Sequence, residues 1–294
     1  MTKRVAIVTG GSSGIGKEIA KHLKRNGMQV YALSRRVDQM NDLDDLGITT
    51  GYVDVADYDS VDEAIQNIYA DAGRIDVLVN NAGFGSFGSV EEVPLKDGEY
   101  QFKVNVFGAM KMIQSVLPFM RKQGSGRIIN MSSMAGKTGM PLGSWYVGSK
   151  FAIEGMSDSI REELKEFGID VVVIEPGAIE SNWSSIAMNK LKESSSDGPY
   201  AGASRRLADF FELSYRYASK PMVIARMVDQ AAFSAKPKAR YSGGYGAKAS
   251  IMLKRLLPDK AFDALMEQVR IMAQRMVNQE KSQRNQVDPS TETK

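Results

Sequence analysis

Cysteine is absent from this chain of 294 residues. Disulfide staples, thiolate nucleophiles and Cys-ligated zinc are therefore excluded. A chain built without disulfides suits a reducing compartment, and the expectation is a cytoplasmic protein. Histidine occurs once, at His22. It has no partner for a Ser–His–Asp relay, no His/Asp/Glu cluster has metal-ligand spacing, and no catalytic metal is expected. His22 itself reads as a solvent-facing position on the first helix. No apolar run approaches the ~18–20 residues that span a bilayer, and Val5–Val8 lies too early and is too short for a signal peptide.

The rest of the composition is that of a globular α/β protein, with 43% apolar and 25% charged residues, 27 Gly and 9 Pro. Disorder throughout, collagen-like repeats and coiled coil are excluded. The length suits one α/β domain carrying an insertion or extension. The net charge of +3 implies no nucleic-acid partner. Between Lys236 and Arg284, however, eleven Lys/Arg face four Asp/Glu, so the basic charge is concentrated near the C-terminus.

Short β-branched runs alternate with helical patterns over the first two thirds. Strands are expected at Val5–Thr9, Val30–Leu33, Thr50–Val53, Val77–Val79, Arg127–Met131 and Val171–Ile174. Several are apolar on consecutive residues, as strands covered on both faces are. Helices are expected at Ile15–Asn26, Ser60–Ala72, Glu99–Lys122 and Trp145–Phe167, with Gly27, Gly73 and Gly168 just past three of the ends. This alternation demands parallel strands with right-handed crossovers, a doubly wound Rossmann-like sheet of about seven strands. The rhythm breaks after Pro176. Residues 182–219 read as a substrate loop, a helix restarts at Pro221, a last strand lies near Arg240–Ser242, and a basic, Met-rich helical region is interrupted at Pro258. The expected division is a catalytic domain over 1–245, a helical extension over 246–277 and a disordered tail over 278–294.

The first strand ends in Thr9-Gly10-Gly11-Ser12-Ser13-Gly14-Ile15-Gly16 and runs into a helix. Such glycines let the backbone turn tightly and approach a pyrophosphate at a helix N-terminus, although a turn serving geometry alone has the same look. Further on stand Asn80-Asn81-Ala82-Gly83, Asn105, Ser133, Tyr146-x3-Lys150 and Pro176-Gly177, in that order. Together, over residues 4–180, they resemble the short-chain dehydrogenase/reductase family. The run from Phe84 onward and the long C-terminal region look like its hydroxysteroid- and retinol-dehydrogenase-like branch. The resemblance implies a nicotinamide cofactor and a site of Asn105, Ser133, Tyr146 and Lys150. It assigns the cofactor to Gly10, Ser12, Ser13, Gly14, Ile15 and Gly16, to Asp54 and Val55 at the adenine, and to Asn81, Ala82 and Gly83. Pro176, Gly177, Ile179 and Ser181 complete that set with Asn105, Tyr146 and Lys150. Asn105 would prop a water connecting Lys150 to solvent, and family members pair as dimers or tetramers through helices equivalent to 99–122 and 145–167.

Physical chemistry supports the central pair. Tyr146 and Lys150 are four residues apart and share a helix face. A free tyrosine titrates near ~10; lowering that by ~2–3 units, to make a neutral-pH base, needs roughly 3–4 kcal/mol of differential interaction. A nearby ammonium and an oxidised nicotinamide both act in that direction. Ser133, spaced thirteen residues before Tyr146, is the candidate to hold the substrate oxygen, with Ser132 as the alternative. Asn80 and Asn81 read as braces of the sheet. After the second strand the run is Leu33-Ser34-Arg35-Arg36, with no acid to hold a ribose 2′-hydroxyl. A guanidinium suits a 2′-phosphate, so NADP(H) is expected, with NAD as the lesser option, Arg35 as the leading contact and Ser34 as helper. Phe84, Phe87, Met134, Met140, Trp145 and Trp183 are the substrate-pocket candidates, pointing to a small lipophilic alcohol or ketone. Rival readings are a 3-oxoacyl-carrier-protein reductase, a cofactor-sensing module, and a protein whose basic Met-rich region lies weakly on anionic lipid. The apolar stripe Ile251, Met252, Leu256, Leu265, Met266, Val269 and Met272 must be covered, either as a lid over the pocket or against the sheet or a second subunit.

Overall fold

The computed structural model describes residues 3–181 and 183–287. Seven parallel strands form one sheet: β1 (Val5–Thr9), β2 (Gln29–Ser34), β3 (Thr49–Tyr52), β4 (Val77–Asn80), β5 (Gly126–Met131), β6 (Ile169–Pro176) and β7 (Arg240–Gly243). Their order is β3-β2-β1-β4-β5-β6-β7. The helices are α1 (Gly14–Arg25), a short α2 (Asn41–Asp44), α3 (Tyr58–Ala72), α4 (Leu95–Phe102), α5 (Ala109–Gln123), α6 (Ser144–Glu163), α7 (Trp183–Ser195), α8 (Ala201–Arg216), α9 (Met222–Phe233), α10 (Ala247–Leu256) and α11 (Asp259–Val287).

The consecutive apolar runs have the reason anticipated for them. Ala6 and Val8 of β1 join Ile19 and Leu23 of α1 and Ile224 and Val228 of α9 on one face. Val5 and Ile7 join Val61 and Ile65 of α3 and Met112 and Val116 of α5 on the other. Strand residues alternate sides, so a sheet covered twice needs apolar side chains at every position. β3 lies at the sheet edge and is correspondingly more exposed. His22 is half-buried, with its ring 3.9 Å from Asp229 of α9, not turned to solvent as its helix position suggested.

Three segments depart from the expectations. The helix read over 99–122 begins at Leu95 and is interrupted by a π-helical turn, Lys103–Gly108, that carries Asn105. Most of the segment read as a substrate loop is helical: from Trp183 to Arg216, α7 and α8 pack on each other, and only the Ser-Asp-Gly stretch around 196–200 breaks them. α11 runs to Val287, beyond Asn278 where order was expected to end; residues 288–294 lie outside the described residues. The continuation has a cause, because Glu280 pairs with Arg216 at 2.6 Å and Lys281 lies 3.6 Å from Asp209, both on α8.

Asp57 caps α3, its carboxylate accepting from the backbone N–H groups of Asp59 and Ser60. Replacing such a cap by alanine costs about 0.5–2 kcal/mol. Asp57→Ala is expected to lower the stability to urea by that amount without changing the slope of the transition, measured by circular dichroism.

Candidate active site

The succession of strands reverses between β1 and β4, which opens a crevice at their C-terminal ends. A cavity of about 1140 Å³ occupies it and continues beneath α8, α10 and α11. The Gly-rich turn forms its floor. Gly10 and Gly14 adopt φ of +70° and +53°, the left-handed region that favours glycine. A Cβ at Gly16 would run into the Gly10 carbonyl oxygen and the Asn81 side chain. Asn81 donates from Nδ2 to Thr9 O at 2.9 Å, and Thr9 Oγ1 accepts from the backbone N–H of both Asn81 and Ala82 at 3.0 Å. Asn80 donates to Ala109 O and to Asn130 Oδ1. Both asparagines are braces.

Gly10, Ser12, Ser13, Gly14, Ile15, Gly16, Ser34, Arg35, Asp54, Val55, Asn81, Ala82, Gly83, Pro176, Gly177, Ile179 and Ser181 all line this cavity. Their arrangement has the features a dinucleotide needs: a tight Gly turn, a helix N-terminus and two guanidinium groups at the rim. Arg35 lies 3.0 Å from Tyr100 OH and 3.9 Å from Asp54, both of which also line the cavity. Arg36 reaches over the Gly turn and donates from Nη2 to Ser12 Oγ at 3.0 Å and Ser13 Oγ at 3.2 Å. Ser34 donates to Ser12 Oγ and accepts from the Arg36 backbone N–H. Arg36, which the sequence reading did not name as a contact, stands just before the short turn Val37–Met40 that follows β2.

The reacting end gathers Ser133, Tyr146 and Lys150. Ser133 ends the turn after β5, accepting from Ala135 N at 3.1 Å and lying 3.4 Å from Pro176 O, and it hydrogen-bonds the Tyr146 hydroxyl. Ser132, the alternative, is buried with its hydroxyl toward Ser133 O. Tyr146 and Lys150 project from one face of α6, and Lys150 donates from Nζ to Met131 O at 2.8 Å. Burial pushes Tyr146 up to about 12, the Ser133 hydrogen bond opposing it, and pushes Lys150 down to about 8, the charge of Glu154 opposing that. The lowering expected above counted an oxidised nicotinamide beside the lysine; within the protein alone, burial outweighs the Ser133 hydrogen bond. Tyr146 is thus held as a proton donor.

Asn105 does not reach the cavity wall. It grips the backbone of Phe84, accepting from its N–H at 3.0 Å and donating to its carbonyl at 2.9 Å, and donates to Ser149 Oγ at 3.1 Å. A Cβ on Gly83 would stand 3.1 Å from Asn105 Oδ1 and 3.8 Å from Lys150 Nζ, so that glycine keeps open the space between them.

Of the pocket candidates, Phe84, Phe87, Met134, Met140 and Trp183 line the cavity. Trp145 does not: its ring covers Gly98 of α4 and meets Phe102 edge-on at 6.3 Å. Adjacent helical residues point about 100° apart, so Trp145 and Tyr146 cannot both face the crevice. Tyr215 of α8, stacked on Phe211, and Met272 and Met276 of α11 line the cavity as well. α11 packs along α8, and of the C-terminal stripe Met266, Val269 and Met272 line the cavity, whereas Met252, Leu256 and Leu265, expected to be covered, stand exposed. Among the described residues no cluster of His, Asp and Glu could hold a metal ion, and no helix is long and apolar enough to cross a membrane.

Residues 4–191 match the short chain dehydrogenase family. The Helicobacter pylori protein named "Probable short-chain type dehydrogenase/reductase VdlC" is 36% identical over 265 residues, covering 90% of this chain and 97% of its own. The NADPH-dependent 3-dehydrocapnine reductase of Ornithobacterium rhinotracheale is 30% identical over 277 residues, covering 89% and 95%. Among solved structures, a short-chain dehydrogenase from Streptomyces avermitilis superposes with a TM-score of 0.74 at 28% identity, covering 92% of this chain and 98% of that one. A single-substitution variant of the actinorhodin polyketide ketoreductase, solved with NADPH, gives 0.68 at 28% identity, covering 82% and 94%.

The lowered Lys150 makes stability depend on pH with a definite sign. Between about 8 and the unfolded lysine value near ~10.4, the unfolded chain holds the Lys150 proton that the folded chain has released, so stability rises with pH. Lys150→Met removes that contribution. Urea unfolding at pH 7 and pH 10 is expected to show wild type gaining on the variant by roughly 3 kcal/mol, about 1.4 kcal/mol per pH unit. An unchanged difference would place Lys150 in a solvated environment.

Proposed function

Since the chain belongs to the short-chain dehydrogenase family, an oxidoreductase acting on CH–OH and C=O groups, we propose that it interconverts a lipophilic ketone and its secondary alcohol with NADP(H). The observation that carries this reading is the cavity itself. At one end stand Ser133, Tyr146 and Lys150, and beyond them the wall is mainly Phe, Trp, Met and Leu, interspersed with the hydroxyl-bearing Ser185, Ser214, Ser250, Tyr215 and Tyr245 and without an acidic or basic side chain. A charged substrate would find no counter-charge there. A steroid- or retinoid-like body and an open-chain ketone both belong to the class it accepts.

A nicotinamide dinucleotide held by these residues would supply the hydride for reduction of a carbonyl carbon. As charge develops on the carbonyl oxygen, Ser133 Oγ donates to it and Tyr146 delivers its phenolic proton. Lys150 stands 5.8 Å from the Tyr146 ring and its ammonium stabilises the phenolate left behind. In oxidation the same phenolate accepts the proton. Asn105 holds the Phe84 backbone in place beside this path. Arg36 and Arg35 would hold the 2′-phosphate, with Ser34 and the Ser12 and Ser13 hydroxyls beside them. The NADPH in the name of the 3-dehydrocapnine reductase and the NADPH bound in the ketoreductase structure support that choice.

A second reading, a 3-oxoacyl-carrier-protein reductase-like enzyme, is favoured by the exposed basic residues Lys248 and Arg255 on α10, near the cavity mouth. The exposed Phe107 and Phe151, on the π-turn before α5 and on α6, suit a homodimer or homotetramer formed through those helices.

Tyr146→Phe is expected to lower kcat about 10²–10⁴-fold in NADPH oxidation assays with lipophilic ketones while NADPH still binds. A variant keeping more than a tenth of wild-type turnover would remove Tyr146 from the chemistry. Loss of a charge-assisted contact is worth about 1.5–3 kcal/mol. Arg36→Ala should therefore weaken NADPH binding roughly 10- to 150-fold and leave NADH nearly unchanged, read by titration of both cofactors. Arg35→Ala, measured in parallel, tells which guanidinium dominates; equal NADH and NADPH affinity in the wild type would leave both as solvated rim residues.

A further inference from the structure

Large apolar side chains exposed to solvent usually lie scattered on the outside of a protein. Here four of them turn into the cavity: Ile186 of α7 is 47% exposed, and Val269, Met272 and Met276 of α11 are 37%, 59% and 46% exposed, all as cavity lining. With Met266 the three α11 residues form a stripe at positions i, i+3, i+6 and i+10 along one helix. At 1.5 Å per residue, that stripe is about 15 Å long. The facing wall is Phe210, Leu213 and Ser214 of α8. Phe262, Ala273 and Val277, on or beside the same face of α11, are buried, so the helix is anchored and its cavity face is not simply undocked.

This stripe joins the reacting end through a run of rings. Trp183 lies 5.1 Å from Tyr146 and 6.4 Å from Phe211, and Phe211 stacks on Tyr215 at 5.9 Å. A rigid fused-ring body would need breadth at every level. The stripe offers length with the width of one helix face, and its methionines adjust to a flexible partner.

We propose that α11 and α8 form a sleeve for the unbranched hydrocarbon tail of the substrate, so that the enzyme selects long open-chain ketones over short or fused-ring ones. The proposal rests on the reading of the cavity as a ketone site and deepens it. Tail binding covers Val269, Met272 and Met276, and each methylene taken from water into the sleeve adds a constant increment of binding.

The probes are the methyl ketones from 2-butanone to 2-tetradecanone, with a fused-ring steroid ketone as comparison. Two readouts are used: NADPH oxidation, and emission of Trp183 in a Trp145→Phe background, which reports binding without turnover. At the hydrophobic increment per CH₂, kcat/KM should rise about fourfold per added carbon until the chain outgrows the sleeve. Met272→Glu should flatten that rise, with circular dichroism showing α11 retained; Met276→Glu gives a second variant should the first not fold. A flat series, or a steroid ketone preferred to every long chain, overturns the sleeve while leaving the ketone reductase standing. A chain-length series in Trp183 emission without turnover of any ketone supports the sleeve and overturns the reductase reading. Absence of both signals overturns both.

Discussion

The crevice between β1 and β4 is the constraint on which the site depends. Because strand succession reverses there, the loops after β1 and β4 leave to opposite sides and no helix fills the gap between them. The gap is held at a fixed width by Thr9 and Asn81, whose hydrogen bonds tie the two loops to each other. Gly16 then lets the first turn of α1 press against the Gly10 carbonyl and the Asn81 side chain, where a Cβ has no room. Backbone N–H groups at that helix start are aimed into the opening, which is the requirement for holding phosphate.

Burial supplies the second ingredient. Tyr146 and Lys150 are shielded by the same apolar surroundings, and low dielectric acts on them in opposite senses: it favours the neutral phenol and the neutral amine. A proton leaving Tyr146 creates a buried anion beside a group that becomes a cation by gaining a proton, so each ionisation is offset by the other. Glu154, one turn beyond Lys150, leans the lysine back toward its charged form and is itself held by Lys137 at 2.7 Å and Arg240 at 2.9 Å. Arg240 lies on β7 and also reaches Glu175 of β6, whose carboxyl burial pushes up. The last strand is thereby tied electrostatically to the helix that carries the chemistry.

Where local pattern determined an element, it was legible in the sequence. β1 appears at its read boundaries because each of its five residues is buried on one face or the other. Gly73 stops α3 with the left-handed φ anticipated for it; Gly168 has it too, but closes a 3₁₀ turn, Lys165–Phe167, because α6 already ends at Glu163. The order of motifs located Ser133, Tyr146 and Lys150 at one cavity because strand ends and helix starts bring them to one rim. What failed depended on direction in space. Trp145 was read as pocket lining from its neighbourhood to Tyr146, yet one helical step turned it toward Gly98. The segment 183–216 carries enough breakers to read as loop, although its apolar residues Ala187, Leu191, Leu207 and Phe211 make a buried hairpin of helices. The polar end of α11 gave no periodic signal; ion pairs with α8, invisible in one sequence segment, extend it.

The two halves of the cavity are therefore built on different terms. The reacting end is set by a parallel sheet with helices on both faces, where a change in one strand disturbs every neighbour. The far wall is α11 lying on α8, joined at its outer edge by Arg206–Glu267 at 3.4 Å and Arg216–Glu280 at 2.6 Å. Exposed pairs of this kind contribute about 0–1 kcal/mol each, so the helix is held chiefly by Phe262, Ala273 and Val277 and gives way before the sheet does. A wall of low local stability next to a rigid reacting end lets the site admit flexible bodies of different length without moving Ser133 or Tyr146. Chemistry is fixed by the sheet, and selection among substrates falls to the helices laid over it.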